Sequence, residues 1–584
     1  MPYFLKKNKS PSGGILYYAY ESFYDSTKKA SRHKSGPYLG SHDKLKSEGI
    51  DDPEAHCRKL IAGMNEAAAT KKSEEITEEP LALMGGGLIF EGLISKMNFV
   101  PTMDLLGKVW GLQFGLGSML RDLTVSRILH PASKIRTFQE VMPGILTFRE
   151  PGFTRDQMYL GLERLGSDCE GMVEIINRGV SGLVGKRDTS RVFFDCTNFY
   201  FEIDTEKGMQ RRGPSKENRK DPIIGMALLL DRESVPISMS LYPGSQSEKP
   251  EIRKTISEMK SRNNITGRTI QIADKGLNCG QNIHEALANG DGYIFSQSVK
   301  GASKMEKEWV LLDIPKEKAP SEGLYWHDVR DSDGNLSYQY KWKIDTYEIA
   351  YDDGGTKKKE KVVQMRLATY NPSLASKQRR ELDRLAESAR AGCASMMKRR
   401  ELGECAKYVK FSAADKRTGE VDDDMGVAIS FDEEAYENDR MFCGYNMLAT
   451  SETKMKPTEI YEAYHRLWRI EKCFRVMKTQ IESRPVYLQK TDSIKGHFLV
   501  CYLAVLLIRL MQVKLLGDRI SEDEIVEASR SFMLMKSGPK EYVNLSGRTK
   551  SLEKMASVTG HKYLNRYLSE SDLKDMEKEV CTLD

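Results

Sequence analysis

The sequence predicts an α/β protein: a strand-rich core split by a β-rich insertion, with a helical N-terminal domain and helices at the C-terminus. Between residues 191 and 300, short β-branched and aromatic runs alternate with helical patterns. From 301 to 440 a second strand pair interrupts that series, and the apolar spacing over 81–186 and from 457 onward is helical. At 584 residues the chain exceeds what one hydrophobic core sustains, so several domains are expected. Hydrophobic residues at 40% and charged residues at 30% exclude disordered and fibrous classes. A net charge of +5 and a pI near 8.4 permit nucleic-acid binding without demanding it.

The elements follow in order. Residues 1–80 form an N-terminal module that combines Tyr17, Tyr18, Tyr20, Phe23 and Tyr24 with Lys6, Lys7, Lys9, Lys28, Lys29, Arg32 and Lys34. Aromatics among cations suit a DNA-contacting surface; they equally suit a small sheet whose tyrosines pack and whose lysines are merely solvated. The tract 67–80, rich in Thr, Lys and Glu, reads as a linker. Residues 81–186 read as a helical domain, with a helix ended at His130-Pro131, and Arg121, Arg127, Lys134 and Arg136 mark a possible DNA-binding face. RVFFDCTNFYFEI, PIIGMALLLDRES and VPISMSLYPG predict three strands. A helix over 248–262, the strand RTIQIAD, a helix over 280–288 and the strand GYIFSQ follow, in the order of a ribonuclease H-like domain whose first half spans 187–300.

The insertion at 301–440 holds LSYQYKWKIDTYEIAY and EKVVQMRLATY around the turn Asp352-Asp353-Gly354-Gly355, then a long charged helix over 373–410. The second half of the core, 441–515, opens with the strand GYNMLATSE and a helix entered at Pro457. Residues 516–584 read as a C-terminal helical region suited to dimerisation. The apolar run 498–508 falls short of the roughly 18 residues that span a bilayer and reads as a buried helix. Ten cysteines without a CxxC pair, and an N-terminus without a signal-peptide core, predict a reducing cytoplasm.

Three carboxylates carry the chemistry. Asp195 follows Val192-Phe193-Phe194, where a charge is costly unless paired or bound to metal. It either ligates a cation, points to solvent from an edge strand, or caps a turn with Thr197 and Asn198. Asp274 closes the strand ending in Ile272-Ala273, the end of a strand at which α/β sheets place catalytic groups. Glu471 lies seven residues after Tyr464 and seven before Lys478, which sets the three on one stripe of a helix. The competing reading is an exposed helix in which Glu471 pairs with Arg475. Phosphodiester chemistry needs hard oxygen donors for divalent ions, and three acids suffice.

FFDCTNFYFE, IADKG and YHRLWRIEKCFRVMK resemble, in order, the three signature regions of DDE transposases of prokaryotic insertion sequences, in the group with a β-rich insertion in the RNase H-like core. That group's signature is Y-(2)-R-(3)-E-(6)-K. Asp195, Asp274, Tyr464, Glu471 and Lys478 fall on matching positions, and the arginine slot holds Leu467 between Arg466 and Trp468. The resemblance implies catalytic, metal-binding roles for Asp195, Asp274 and Glu471 with Mg2+, or Mn2+ in its place. It also implies DNA contacts by Tyr464 and Lys478; Arg475 and Arg484 are further phosphate-contact candidates. Trp468 either packs in the core or stacks on an unpaired base.

The implied activity is cut-and-paste transposition: metal-dependent cleavage at transposon ends and strand transfer into target DNA. The implied partners are double-stranded DNA, as terminal inverted repeats and target, and a second copy in a homodimer on paired ends; the implied location is the nucleoid. Two other readings stay open at the level of sequence. One is an RNase H-like nuclease or resolvase that only hydrolyses DNA, and the other is a domesticated, non-catalytic DNA-binding protein.

Overall fold

A computed structural model describes residues 3–25, 30–70, 82–149, 152–216, 220–263, 265–395, 397–411 and 428–578. The chain divides into two compact units, Met1–Leu81 and Ala82–Asp584. In the first, β1 (Tyr3–Lys9), β2 (Ile15–Asp25) and β3 (Ala30–Ser41) form an antiparallel sheet in that order. Strand alternation sends Leu5, Tyr17 and Ala19 to one face, and Tyr17 joins a small core with Leu45 and Cys57. The helix Pro53–Thr70 packs on that face, and Asn65 holds both the amide and the carbonyl of Tyr3 at 2.7 and 3.0 Å. Tyr17 therefore packs, as one of the two sequence readings had it, while its neighbours Tyr18 and Tyr20 point away. The expected linker begins inside this helix and lies outside the described residues from 71 onward, as do Lys28 and Lys29.

The second unit is mixed α/β, built on a nine-stranded mixed sheet. After β4 (Leu83–Met84) and a run of helices from Leu88–Met97 to Cys169–Val184 come β5 (Arg191–Tyr200), β6 (Ile223–Leu230), β7 (Pro236–Pro243), β8 (Ile270–Ala273) and β9 (Gly292–Gln297). β5, β8 and β9 are parallel neighbours, and β6 and β7 continue antiparallel from β5. β6 is buried along its whole length, which its unbroken apolar run IIGMALLL requires.

One sheet face carries Phe193, Phe199, Met226 and Leu228 against the helix Thr491–Leu510; the other packs Val192, Phe194 and Ala227 on the helices Lys249–Arg262 and Gly280–Ala288. Thr491–Leu515 is long and apolar enough to cross a membrane, but 83% of its apolar window is buried in the protein. It is the central core helix, and the Phe199 and Phe498 rings meet at 4.8 Å.

The inserted strands extend the sheet. β10 (His327–Arg330), β11 (Leu336–Asp353) and β12 (Thr356–Tyr370) line up beyond β15 (Tyr445–Thr450), giving the order β10-β11-β12-β15-β9-β8-β5-β6-β7. Gly354 and Gly355 take positive φ of 62° and 91° at the β11–β12 turn, the conformation a two-residue hairpin needs. The charged helix expected over 373–410 ends earlier: it spans Pro372–Ala394, and the chain then folds back so that Leu402 sits where a side chain on Gly392 would be. That return builds a small core around Leu382, Tyr408 and Tyr436, closed by the ribbon of β13 (Val409–Phe411) and β14 (Ala428–Phe431).

The C-terminal region is not purely helical. β16 (Met533–Gly538), β17 (Glu541–Asn544) and β18 (Tyr567–Ser569) form a four-stranded sheet with β4. The chain closes on itself here because Gly86 lets the backbone approach Ser529, whose carbonyl oxygen would lie 1.8 Å from any Cβ.

Candidate active site

The parallel ladder between β5 and β8 ends with Phe194 opposite Ala273. Asp195 and Asp274 are the next residues on each strand, so their backbones stand side by side at about one strand spacing, 4.8 Å. Beyond this point β8 turns away into the 3-10 turn Lys275–Leu277, whereas β5 runs on to Tyr200 paired with β6. β5 is thus an interior strand, which removes the edge-strand reading of Asp195. Strand alternation sets Asp195 on the face of Phe193 and Phe199, toward the helix Trp468–Arg475 that carries Glu471.

Asp195 and Glu471 both sense the charge of Asp274. Burial pushes the Asp195 carboxyl up to about 6, and the charges of Glu248 and Asp274 add to it. Glu471 has an exposed side chain, yet crowding around its carboxyl and the negative Asp274 raise its proton affinity as well. Such a set fits a divalent cation by its chemistry: hard oxygen donors with no nitrogen or sulfur among them, and a negative field that a cation would relieve. Among the described residues no three Asp, Glu, His or Cys side chains stand close enough together to hold a metal ion as they are placed.

Tyr464 reaches the same point. Its hydroxyl donates to Asp274 Oδ1 at 3.1 Å, and burial with the charge of Asp274 drives the phenol well above its ordinary range. The single helical stripe expected for Tyr464, Glu471 and Lys478 is broken. One helix ends at His465, a turn at Arg466 and Leu467 follows, the helix Trp468–Arg475 carries Glu471, and Lys478 sits in the π-turn Val476–Gln480. Leu467 is buried in the core while Arg466 beside it is exposed, and both keep right-handed helical dihedrals through the turn.

The remaining predicted residues divide. Lys478 lies 5.7 Å from the Phe199 ring and Arg484 4.8 Å from the Tyr200 ring, so both cations track β5 beyond Asp195. Arg475 turns away and pairs with Asp523 at 3.4 Å, so the expected Glu471–Arg475 pair is replaced by this one. Trp468 is exposed, with the Lys472 ammonium 4.4 Å from its ring, contrary to a core role.

Two participants escaped the sequence reading. Lys216, in the loop between β5 and β6, stands 3.7 Å from Asp195 and 3.5 Å from Glu248, and its ammonium donates to the Cys196 carbonyl. Glu248 precedes the helix Lys249–Arg262. Lys216 lies in no periodic segment, and Glu248 only opens the helix read over 248–262, so nothing local marked either as part of the site.

Residues 188–507 match the family model described as the transposase DDE domain. Members of that family are enzymes acting on DNA and generally use divalent metals. No curated protein matches the chain. More than half of the sequence is covered by the match, and Asp195, Asp274 and Glu471 all fall inside it; the chain belongs to the DDE transposase family.

Proposed function

We propose that this protein catalyses cut-and-paste DNA transposition, with Asp195, Asp274 and Glu471 as its catalytic carboxylates. The observation that carries the reading is the Phe194–Ala273 register, which sets two aspartates from distant segments side by side under a glutamate-bearing helix. The order β7-β6-β5-β8-β9 supports an RNase H-like core, interrupted after β9 by the segment that supplies β10 to β14.

Asp195, Asp274 and Glu471 would hold Mg2+, or Mn2+ in its place. When bound, the metal supplies Lewis-acid polarisation of the scissile phosphate and lowers the pKa of water. The side chains supply the rest. The Tyr464 hydroxyl fixes one Asp274 oxygen and leaves the other free. Lys216 balances Asp195 and Glu248. The Glu471 carboxylate, with its raised proton affinity, accepts the proton of the attacking water at a carboxyl oxygen. Lys478 and Arg484 hold backbone phosphates along β5, Arg475 contacts DNA from the outer side of its helix, and a homodimer brings two transposon ends together through the C-terminal region.

The test uses the protein with duplexes taken from the DNA flanking its own reading frame. Nicking followed by joining of the 3′ ends into a second duplex, dependent on Mg2+, is the expected result. Asp195→Asn, Asp274→Asn and Glu471→Gln should each lower cleavage by at least about a thousandfold while end binding persists. Hydrolysis without joining would replace this reading with a nuclease, and binding without any cleavage would replace it with a non-catalytic protein.

A further inference from the structure

We infer that a basic cavity between residues 127–135 and 485–497 binds a backbone phosphate of the DNA strand, an inference that rests on the chain being an enzyme that acts on DNA. The sequence marks Arg127 and Lys134 only as cations of a helical domain, and the fold turns them inward. Arg127 lies in the last turn of the helix Leu116–Leu129, Lys134 opens the turn Lys134–Arg136, and His497 sits on the helix Thr491–Leu510. The three line a cavity of about 230 Å³ that Tyr159 and Tyr487 also border. That volume lies below the roughly 300 to 1,000 Å³ of sites for whole small molecules and suits a single charged group.

The lining is basic and lacks a counter-charge: among the described residues no carboxylate borders the cavity. Arg127 is 6% exposed and His497 4%. The Arg127 fork donates to the carbonyls of Ala132, at 2.6 Å, and Glu482, while His497 Nε2 donates to the Ser483 carbonyl at 3.0 Å. Arg127 Nε and His497 Nδ1 stay buried with no hydrogen-bond partner among the described residues. Loss of water and the Arg127 charge push the Lys134 ammonium down to about 7, and only the Cys501 thiol acts the other way. Burial, with Lys134 and Arg127 beside it, holds His497 well below its ordinary range. Burying a cation without a counter-ion is costly, as is leaving a buried polar atom unpaired. An entering oxyanion relieves both: it neutralises Arg127 and Lys134, and it favours a second proton on His497, at Nδ1.

Position says where the phosphate comes from. The Glu482 and Ser483 carbonyls that hold Arg127 and His497 immediately precede Arg484, whose guanidinium lies 4.8 Å from the Tyr200 ring at the end of β5. Pro485, the next residue, already lines the cavity. The cavity therefore prolongs the row of cations, Lys478 and Arg484, that leads along β5 away from the carboxylates. A strand held by that row extends to Lys134.

The experiment compares the full-length protein with Lys134→Met in EDTA. Binding of a mixed-sequence DNA duplex is read by fluorescence anisotropy, and free phosphate by thermal melting in sodium phosphate against sodium chloride of equal ionic strength. Lys134→Met should raise the duplex Kd at least about threefold and flatten the dependence of log K on log salt by about one unit. Phosphate should raise the melting point of the wild type and leave that of Lys134→Met in place. Lys108→Met, at an exposed cation of the helix Phe99–Val109, should change the duplex Kd by less than about twofold.

Unchanged duplex affinity in Lys134→Met, or an equal loss in Lys108→Met, overturns the assignment. Loss of the phosphate response with duplex affinity unchanged makes free phosphate the ligand and overturns the DNA strand as its source. Should Lys134→Met lose its circular dichroism signature, Tyr487→Glu decides. That side chain is 73% exposed, and a carboxylate there faces the cations, so a rise in duplex Kd of about threefold or more is expected and an unchanged Kd overturns the assignment. Because EDTA removes cleavage from the assay, a protein that binds through the cavity and never cuts defeats the catalytic reading alone. One that cuts, yet binds equally well as Lys134→Met, defeats the cavity alone.

Discussion

Asp195 combines an interior strand position, its side chain partly buried, with a carboxyl that desolvation pushes up to about 6. In the unfolded chain the same group ionises near pH 4. The folded, metal-free protein therefore holds a proton between these values that the unfolded chain has released. This stabilisation is fully present below about pH 4 and is lost as pH rises through about 6. Two consequences follow at this scale. Mn2+ affinity, measured by calorimetry, should rise about tenfold between pH 5 and 7.5, because ligation requires the ionised carboxylate. Asp195→Asn should stabilise the metal-free protein at pH 7.5 by about 2 kcal/mol, and not at pH 4, as read from urea midpoints. Lys216 sets where this titration falls. Its ammonium, 3.7 Å from Asp195, favours the ionised form, so Lys216→Met should move the midpoint of Mn2+ binding upward by about one pH unit or more. A purely structural lysine would lower stability and leave that midpoint in place.

The helix Thr491–Leu510 determines how the elements around the site are seated. It meets the helix Arg155–Ser167 backbone to backbone: a Cβ on Gly496 would lie 2.0 Å from the Leu162 carbonyl oxygen, and one on Gly166 would lie 1.7 Å from that of Asp492. Neither carbonyl can yield without moving its helix. Gly496→Ala should therefore cost at least about 2 kcal/mol in a urea melt despite the gain in helix propensity. Legibility in the sequence differed by element for related reasons. β6 was readable because a strand buried on both faces is continuously apolar, and β5, β7, β8 and β9 because they are short apolar or aromatic runs bounded by turns. The helix Pro372–Ala394 was read too long because its charged continuation has the same local pattern, and only the packing of Leu402 against Gly392 ends it. The turn at Arg466 and Leu467 was hidden for the opposite reason: a seven-residue spacing fits an unbroken helix, and both residues keep helical dihedrals through it. Asp195 and Asp274 were legible one at a time, but their adjacency belongs to the β5–β8 register. Lys216, in a loop, had no periodicity to betray it, and the helical pattern that begins at Glu248 said nothing of its approach to Asp195.

At the scale of the whole molecule, the two units keep separate cores. Tyr17, Leu45 and Cys57 anchor the first, whereas the large cluster around the helix Thr491–Leu510 draws only on residues from 88 onward. The second unit is also closed at its own ends, since β4, at its start, pairs with β16, near its end. Its stability should not depend on the first 81 residues. A chain beginning at Ala82 should unfold cooperatively with a midpoint within about 3 °C of the full-length protein, a difference equivalent to about 3 kcal/mol or less for a body of this size. Its affinity for duplex DNA should stay within about threefold of the full-length value, because residues 1–81 hold 13 Lys or Arg against 12 Asp or Glu and +4 of the chain's +5 stays with the second unit. Its metal affinity should stay unchanged, because Asp195, Asp274, Glu471, Lys216 and Tyr464 all remain. Calorimetry with Mn2+ and a thermal melt on the same preparation separate the outcomes. A lower melting point with weakened Mn2+ binding would mean that the first unit supports the fold of the second. Intact folding and metal binding with undiminished DNA affinity would place the main DNA contact on the catalytic unit itself, where Lys478 and Arg484 track β5 past the three carboxylates.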